Sequence, residues 1–144
     1  NKVKNKFSGK DLALGSTTSA YNKKFLKKII KQNKKIKVLI ATHCFFDNPH
    51  PYGKNLFVDF YAWLEFLGQL SKSTTYDWYL KLHPDYLPDT KIIINKFLEK
   101  YPNIVYIPNL YSHHQLIKEG IDVALTCWGS IAHEYPLFDK LVVN

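Results

Sequence analysis

The stretch NIVYIPNLYSHHQLIKEGIDVALTCWGS, residues 103–130, decides the fold. It opens on a short apolar run ended by Pro108. A segment of helical character follows, and Ile121–Trp128 is a second run rich in strand formers. Ser112 with Gln115 fits a capping box, and Gly120 fits the left-handed residue after the last helical turn. Two short strands joined by one helix form a parallel crossover, so the stretch predicts a parallel sheet.

The same alternation extends in both directions. KVLIATHCFF (37–46) and DWYLKLHPD (77–85) read as strands, the second stopped by Pro84, and LVVN (141–144) as a fifth. Between the first two, Leu56, Phe60, Trp63, Leu67 and Leu70 fall at helical spacing. A further helix is expected after Pro84, capped by Asp89 or Thr90, with Ile93, Ile94, Phe97 and Leu98 on its buried side. The strands lack strict polar alternation, as strands covered on both faces should. The expectation is a Rossmann-like three-layer α/β domain over residues 21–144, with a parallel sheet of about five strands. Residues 1–20 read as a linker or loop, in which Ser16, Thr17 or Thr18 would cap the helix that follows.

The formal net charge is +8, and every one of the 20 basic side chains is lysine. Lys23, Lys24, Lys27, Lys28, Lys31, Lys34, Lys35 and Lys37 crowd one short stretch. There Tyr21, Phe25 and Ile29, and Asn22, Leu26 and Ile30, recur at every fourth position. That spacing predicts an amphipathic helix with a lysine-covered solvent face. Such a face is either simply solvated or drawn to an anionic bilayer surface.

No apolar stretch approaches the roughly 20 residues that a membrane-spanning helix needs. Cys44 and Cys127 sit in apolar runs and read as reduced core residues of a cytoplasmic protein. The absence of methionine and the strand-like end suggest a piece of a longer protein. There is no G-x-G-x-x-G, no G-x-x-x-x-G-K-[ST] and no nucleophile elbow, so dinucleotide oxidoreductases, P-loop NTPases and α/β-hydrolases lack their signatures.

In open parallel sheets ligands bind beyond the carboxyl ends of the strands. The loops expected there hold all six histidines. Gly129 and Ser130 begin the segment after the fourth strand, where they serve as a plain helix cap or as a phosphate seat. His133 and Glu134 fall in the next turn, and a carboxylate there suits the helix dipole or accepts from vicinal hydroxyls. Pro136 implies that this helix is short or kinked. His83, fixed by Pro84, is a structural turn or a phosphate contact. Thr42 and His43 are further candidate ligand contacts, while His113 and His114 read as surface residues. His43, Asp47 and His50 match no recognised zinc spacing, and no metal is expected.

Three motifs in order carry a resemblance: KLHPD, then YIPNLYSHHQLIKEGIDVALT, then WGSIAHEYPLFDKLVV. Together they resemble the donor-binding, carboxyl-terminal half of GT-B-fold glycosyltransferases, closest to bacterial capsule polysaccharide biosynthesis proteins, over residues 37–144. The His-Pro motif is similar to that of transferases building teichoic-acid-like polymers. GSIAHEYP is similar to the Gly-rich, Glu-x-Pro segment of nucleotide-sugar 2-epimerases, although Ala132 stands where those enzymes carry glutamine.

The resemblance implies a UDP- or CMP-linked sugar donor, no cofactor, and a polysaccharide or glycolipid acceptor. His83 would contact the donor phosphate and is the candidate for a catalytic role. Gly129 and Ser130 would seat that phosphate. Glu134, with His133 beside it, would hold ribose or sugar hydroxyls, and Tyr106 to Tyr111, including Pro108, would run along the base. The expected location is the cytoplasm, at the inner face of the membrane if the lysines engage lipid, with no nucleic-acid partner. The alternatives are an epimerase-like isomerase and a non-catalytic Rossmann-like binding module.

Overall fold

A computed structural model describes residues 20–22, 24–45, 56–84 and 86–144. Five strands form one parallel open sheet: β1 (Lys37–Ala41), β2 (Asp77–Lys81), β3 (Ile104–Ile107), β4 (Val123–Thr126) and β5 (Leu141–Val143). Their spatial order is β3-β2-β1-β4-β5. The central register aligns Ala41 with Lys81 on one side and with Thr126 on the other. The helices are α1 (Phe60–Lys72), α2 (Pro88–Lys100), α3 (His113–Glu119) and α4 (Ile131–Glu134), the last running into a 3-10 turn, Tyr135–Phe138. The Rossmann-like α/β architecture expected from the sequence is the one observed.

The two faces of the sheet bury separate apolar clusters. On one, Val38, Ile40, Trp78 and Leu80 meet Trp63, Leu64 and Leu67 of α1 and Ile94 and Phe97 of α2. On the other, Leu39, Ala41, Tyr79 and Ala124 meet Leu116, Ile131 and Tyr135. Alternate residues of one strand therefore serve opposite layers, which is why these strands lack strict polar alternation.

Helix α1 is locked to α2 by one close approach. A β-carbon placed on Gly68 would lie 2.5–2.7 Å from ring carbons of Tyr101. That ring is fully buried, tilted against Phe97 at 4.8 Å, and its hydroxyl donates to Glu65 Oε2 at 2.9 Å. It has no room to retreat. Gly68→Ala is expected to cost about 1–3 kcal/mol through overpacking, read as a lowered urea midpoint. A midpoint like that of the wild type would mean that the two helices separate freely.

Several local expectations are corrected. Residues 20–36 contain no helix among the described residues; they form an irregular strap across the α3 face. The four-residue recurrence of apolar side chains is real, but the backbone amides find side-chain partners elsewhere. Leu26 N donates to Gln115 Oε1 (2.9 Å), Ile29 N to the Tyr111 hydroxyl (3.1 Å) and Lys31 N to the Tyr79 hydroxyl (2.9 Å). Three such bonds remove the need for an internal ladder.

Helix α2 begins at Pro88 after Leu87, with no side-chain cap from Asp89 or Thr90, because proline at the first turn already supplies the helical φ. Leu56 precedes α1 and is 92% exposed, and Leu70 is likewise exposed; α1 is instead capped by Asp59, whose Oδ1 accepts from Ala62 N. Ser112 caps α3 by accepting from His114 N, and Gly120 follows it at φ 98°, both as expected. Gln115 does not close a capping box, since its amide is turned to Leu26 and Glu119. Pro136 ends α4 after one turn and starts the 3-10 segment. Both cysteines are free and half-buried. Ser16, Thr17, Thr18, Asp47 and His50 lie outside the described residues.

Candidate functional site

Strand order dictates where a ligand would sit. From β1 the chain moves through β2 to β3, then returns to place β4 on the other side of β1. The loops after β1 and β4 therefore diverge, leaving a crevice at their carboxyl ends. Thr42 and His43 leave β1 there, and Cys127, Trp128 and Gly129 leave β4.

Three of the candidate residues come together. Thr42 N donates to Lys81 O at 3.1 Å, and the Thr42 hydroxyl accepts from His83 N at 3.2 Å. The rings of His43 and His83 lie edge-to-face with centroids 5.8 Å apart, and His43 also packs on Phe60 at 5.0 Å. Thr42 is buried and stitches the two strand ends, while both imidazoles stay half-buried at the surface. Two neighbouring imidazoles can each offer a ring N–H to an anion.

Gly129 follows β4, which neighbours β1 on the side opposite to β2, the strand that leads to His83. A β-carbon on Gly129 would collide with the Thr126 hydroxyl oxygen, so packing against β4 by itself favours glycine there. Trp128, just before it, has φ 62°, a left-handed conformation that is strained for a bulky residue. Its amide donates to Asn144 Oδ1 at 3.1 Å. Ser130 makes no side-chain cap, and α4 is only four residues long. The helix dipole at this end is accordingly small, and any anion here would rely on individual amides and on the histidines.

The remaining candidates are dispersed. Glu134 lies on the α3 side of the sheet, where its Oε2 accepts from the Tyr21 hydroxyl at 2.7 Å. Burial and the Glu134 charge together hold the Tyr21 phenol protonated, far above its ordinary pKa. His133 is exposed on the same turn. Tyr106 belongs to β3, two strands from β1, and Pro108 directly follows that strand; the Tyr106 hydroxyl donates to Asn109 Oδ1 at 3.3 Å. His113, expected at the surface, is buried with its Nδ1 2.8 Å from the Tyr135 hydroxyl, because the strap covers α3.

Lys81, which the sequence places in either helix layer without a role, is a further residue at this rim. It is 3% exposed, flanked by Ala41 and Ile107 in the sheet, and its Nζ donates to Asn109 O at 2.7 Å. Burial pulls its pKa from 10.5 to about 8. The signal was present: a lysine between two leucines in a doubly covered strand must have its charge managed inside. Next to the crevice, on the α1 side, an apolar cavity of about 610 Å³ opens between Phe66 and Leu70 of α1 and Leu125, Cys127, Trp128 and Val143. Leu125 and Cys127 are only partly buried where they pack against the α1 layer, and Val143 is exposed. No described helix has the length and apolarity to cross a membrane.

Comparison with family models, curated proteins and solved structures gives no match to this chain.

Proposed function

We propose that this domain binds the nucleotide-linked sugar of a glycosyltransferase that builds a cell-surface polysaccharide, as the carboxyl-terminal half of a GT-B-type enzyme. The observation carrying this reading is the gathering of Thr42, His43 and His83 at the divergence of β1 and β4. Two imidazoles and the amides at the ends of parallel strands suit a phosphate-linked ligand. A diphosphate reaching from His83 toward Gly129 would cross the crevice. Charge developing on the departing nucleotide phosphate would then be met by fixed donors, which is electrostatic catalysis without covalent participation. Glu134 enters this reading as a support for the strap, since Tyr21 holds its carboxylate. The order and spacing of the three sequence motifs give the family part of the proposal.

Calorimetric titration with UDP and with CMP tests it. One of the two is expected to bind, and His83→Ala to weaken that binding at least tenfold, the loss of about one charge-assisted hydrogen bond. Glu134→Ala should leave the affinity within about twofold, as a residue that contacts no ligand. Absence of heat with every nucleotide, or full affinity in His83→Ala, would reject the donor site.

A further inference from the structure

The strap carries its charges in a particular arrangement. Lys24, Lys27, Lys28, Lys34 and Lys35 are exposed, and among the described residues none has an acidic partner within ion-pair distance. The acids bordering the strap all bond inward. Glu119 accepts from Tyr111 and Gln115, Asp77 from Asn33, Asp122 from Lys37 N, and Glu134 from Tyr21. Among the described strap lysines only Lys31 is paired, with Asp77 at 3.7 Å. Carboxylates act as staples under the strap while its lysines face solvent without compensation.

The apolar side chains that a bilayer-inserting helix would expose are used for folding. Ile30 is buried in the core, with Leu26 and Ile29 packed against it. Phe25 and Ile36 are partly out, 46% and 43% exposed, and Lys118 Nζ lies 5.5 Å above the Phe25 ring.

We propose that the strap is a preformed docking surface for an anionic lipid bilayer, which it engages by charge without inserting a helix. Lysines act as point charges, and the chain has no arginine to fork a phosphate or a base edge. A diffuse negative surface fits such a patch better than a nucleic acid does. Asn33 bonds Asp77 at the start of β2, so the 31–35 stretch lies at the amino end of the sheet. Docking there leaves the opposite rim, with Thr42, His43 and His83, open to solutes.

Vesicle co-sedimentation of the full chain tests this independently of nucleotide binding. Vesicles of phosphatidylcholine with about 30% phosphatidylglycerol are expected to pull the protein down at about 50 mM salt and to release it at about 500 mM, where charges are screened beyond a few ångströms. Pure phosphatidylcholine should not bind it. Lys27→Gln/Lys28→Gln should weaken binding roughly 25-fold, at about fivefold per lysine near the surface. Lys91→Gln/Lys96→Gln, exposed on α2 across the sheet, should change it little. All these lysines are exposed, so an unchanged melting curve separates lost binding from lost folding. Equal binding to neutral vesicles, salt-resistant binding, an unaffected strap variant, or tighter binding to single-stranded RNA than to anionic vesicles would each overturn the proposal.

Discussion

Glu119→Ala is expected to lower the stability of the domain by about 3 kcal/mol and to loosen the strap before the rest unfolds. The carboxylate is buried and accepts two short bonds, 2.6 Å from the Tyr111 hydroxyl and 2.6 Å from Gln115 Nε2. Each of those donors also holds the strap. Tyr111 accepts from Ile29 N, and Gln115 accepts from Leu26 N while donating to Leu26 O. Removing the carboxylate leaves two buried donors without their acceptor, at about 1–3 kcal/mol each. The Tyr111 phenol, now kept protonated by burial and by this hydrogen bond, would be free to turn away from the strap.

Urea unfolding reads the global loss, and hydrogen exchange at the Leu26 and Ile29 amides reads the local one. Glu119→Gln, which keeps one acceptor, should lose roughly half as much. A loss under about 1 kcal/mol with unchanged exchange at both amides would show that apolar packing alone holds the strap. Because the strap presents the lysines and carries Tyr21 to Glu134, the outcome also bears on the bilayer proposal.

The fate of the strap shows where the sequence was legible and where it was not. Strand and crossover order could be read because each apolar run is bounded by a proline, a glycine or a cap with a local physical role, such as Pro108, Ser112 and Gly120. The strap failed because its period of four is common to an amphipathic helix and to a chain whose inward side chains meet a surface. What decided between them was a set of distant acceptors, Gln115, Tyr111 and Tyr79, which no local pattern announces. His113 was misplaced for the same reason: its burial depends on residues about 90 positions earlier.

At the crevice, the clustering of Thr42, His43 and His83 followed from the rule that parallel strands end at one rim. The turn of Glu134 toward Tyr21 did not, since it requires knowing which layer the strap covers. In the sequence Gly129 reads as part of a helix cap or a phosphate seat, whereas contact with Thr126 already disfavours a side chain there.

Lys81 offers the second large effect, and its sign is fixed by burial. The folded-state pKa, about 8, lies below the ordinary value of 10.5. Below about pH 8 both folded and unfolded chains carry the charge, and the folded one bears the full cost of burying it. As the pH rises from 8 toward 10.5 the unfolded chain still binds a proton that the folded chain has released, so stability climbs. The whole interval is worth about 3 kcal/mol, of which about 2 should appear between pH 7 and 9.5. The tyrosines act in the opposite direction: Tyr21, Tyr111 and Tyr135 are held protonated in the fold, so their contribution is lost above about pH 10. The Cys127 thiol, also raised by burial, opposes the rise as well.

Both effects are common to Lys81→Met, so the difference between the two proteins isolates the lysine. That variant keeps the length of the side chain and removes its charge. Its stability near pH 7 should stay within about 1.5 kcal/mol of the wild type, with the relieved burial cost offset by the lost bond to Asn109 O. By pH 9.5 the wild type should have gained about 2 kcal/mol on it. Parallel stability curves would mean that Lys81 binds its proton equally in both states across this range, and that the fold does not desolvate its ammonium group. If the curves diverge as expected, the same buried charge ties the β3–α3 loop to the β2 strand that carries His83, and the rim is built as one unit.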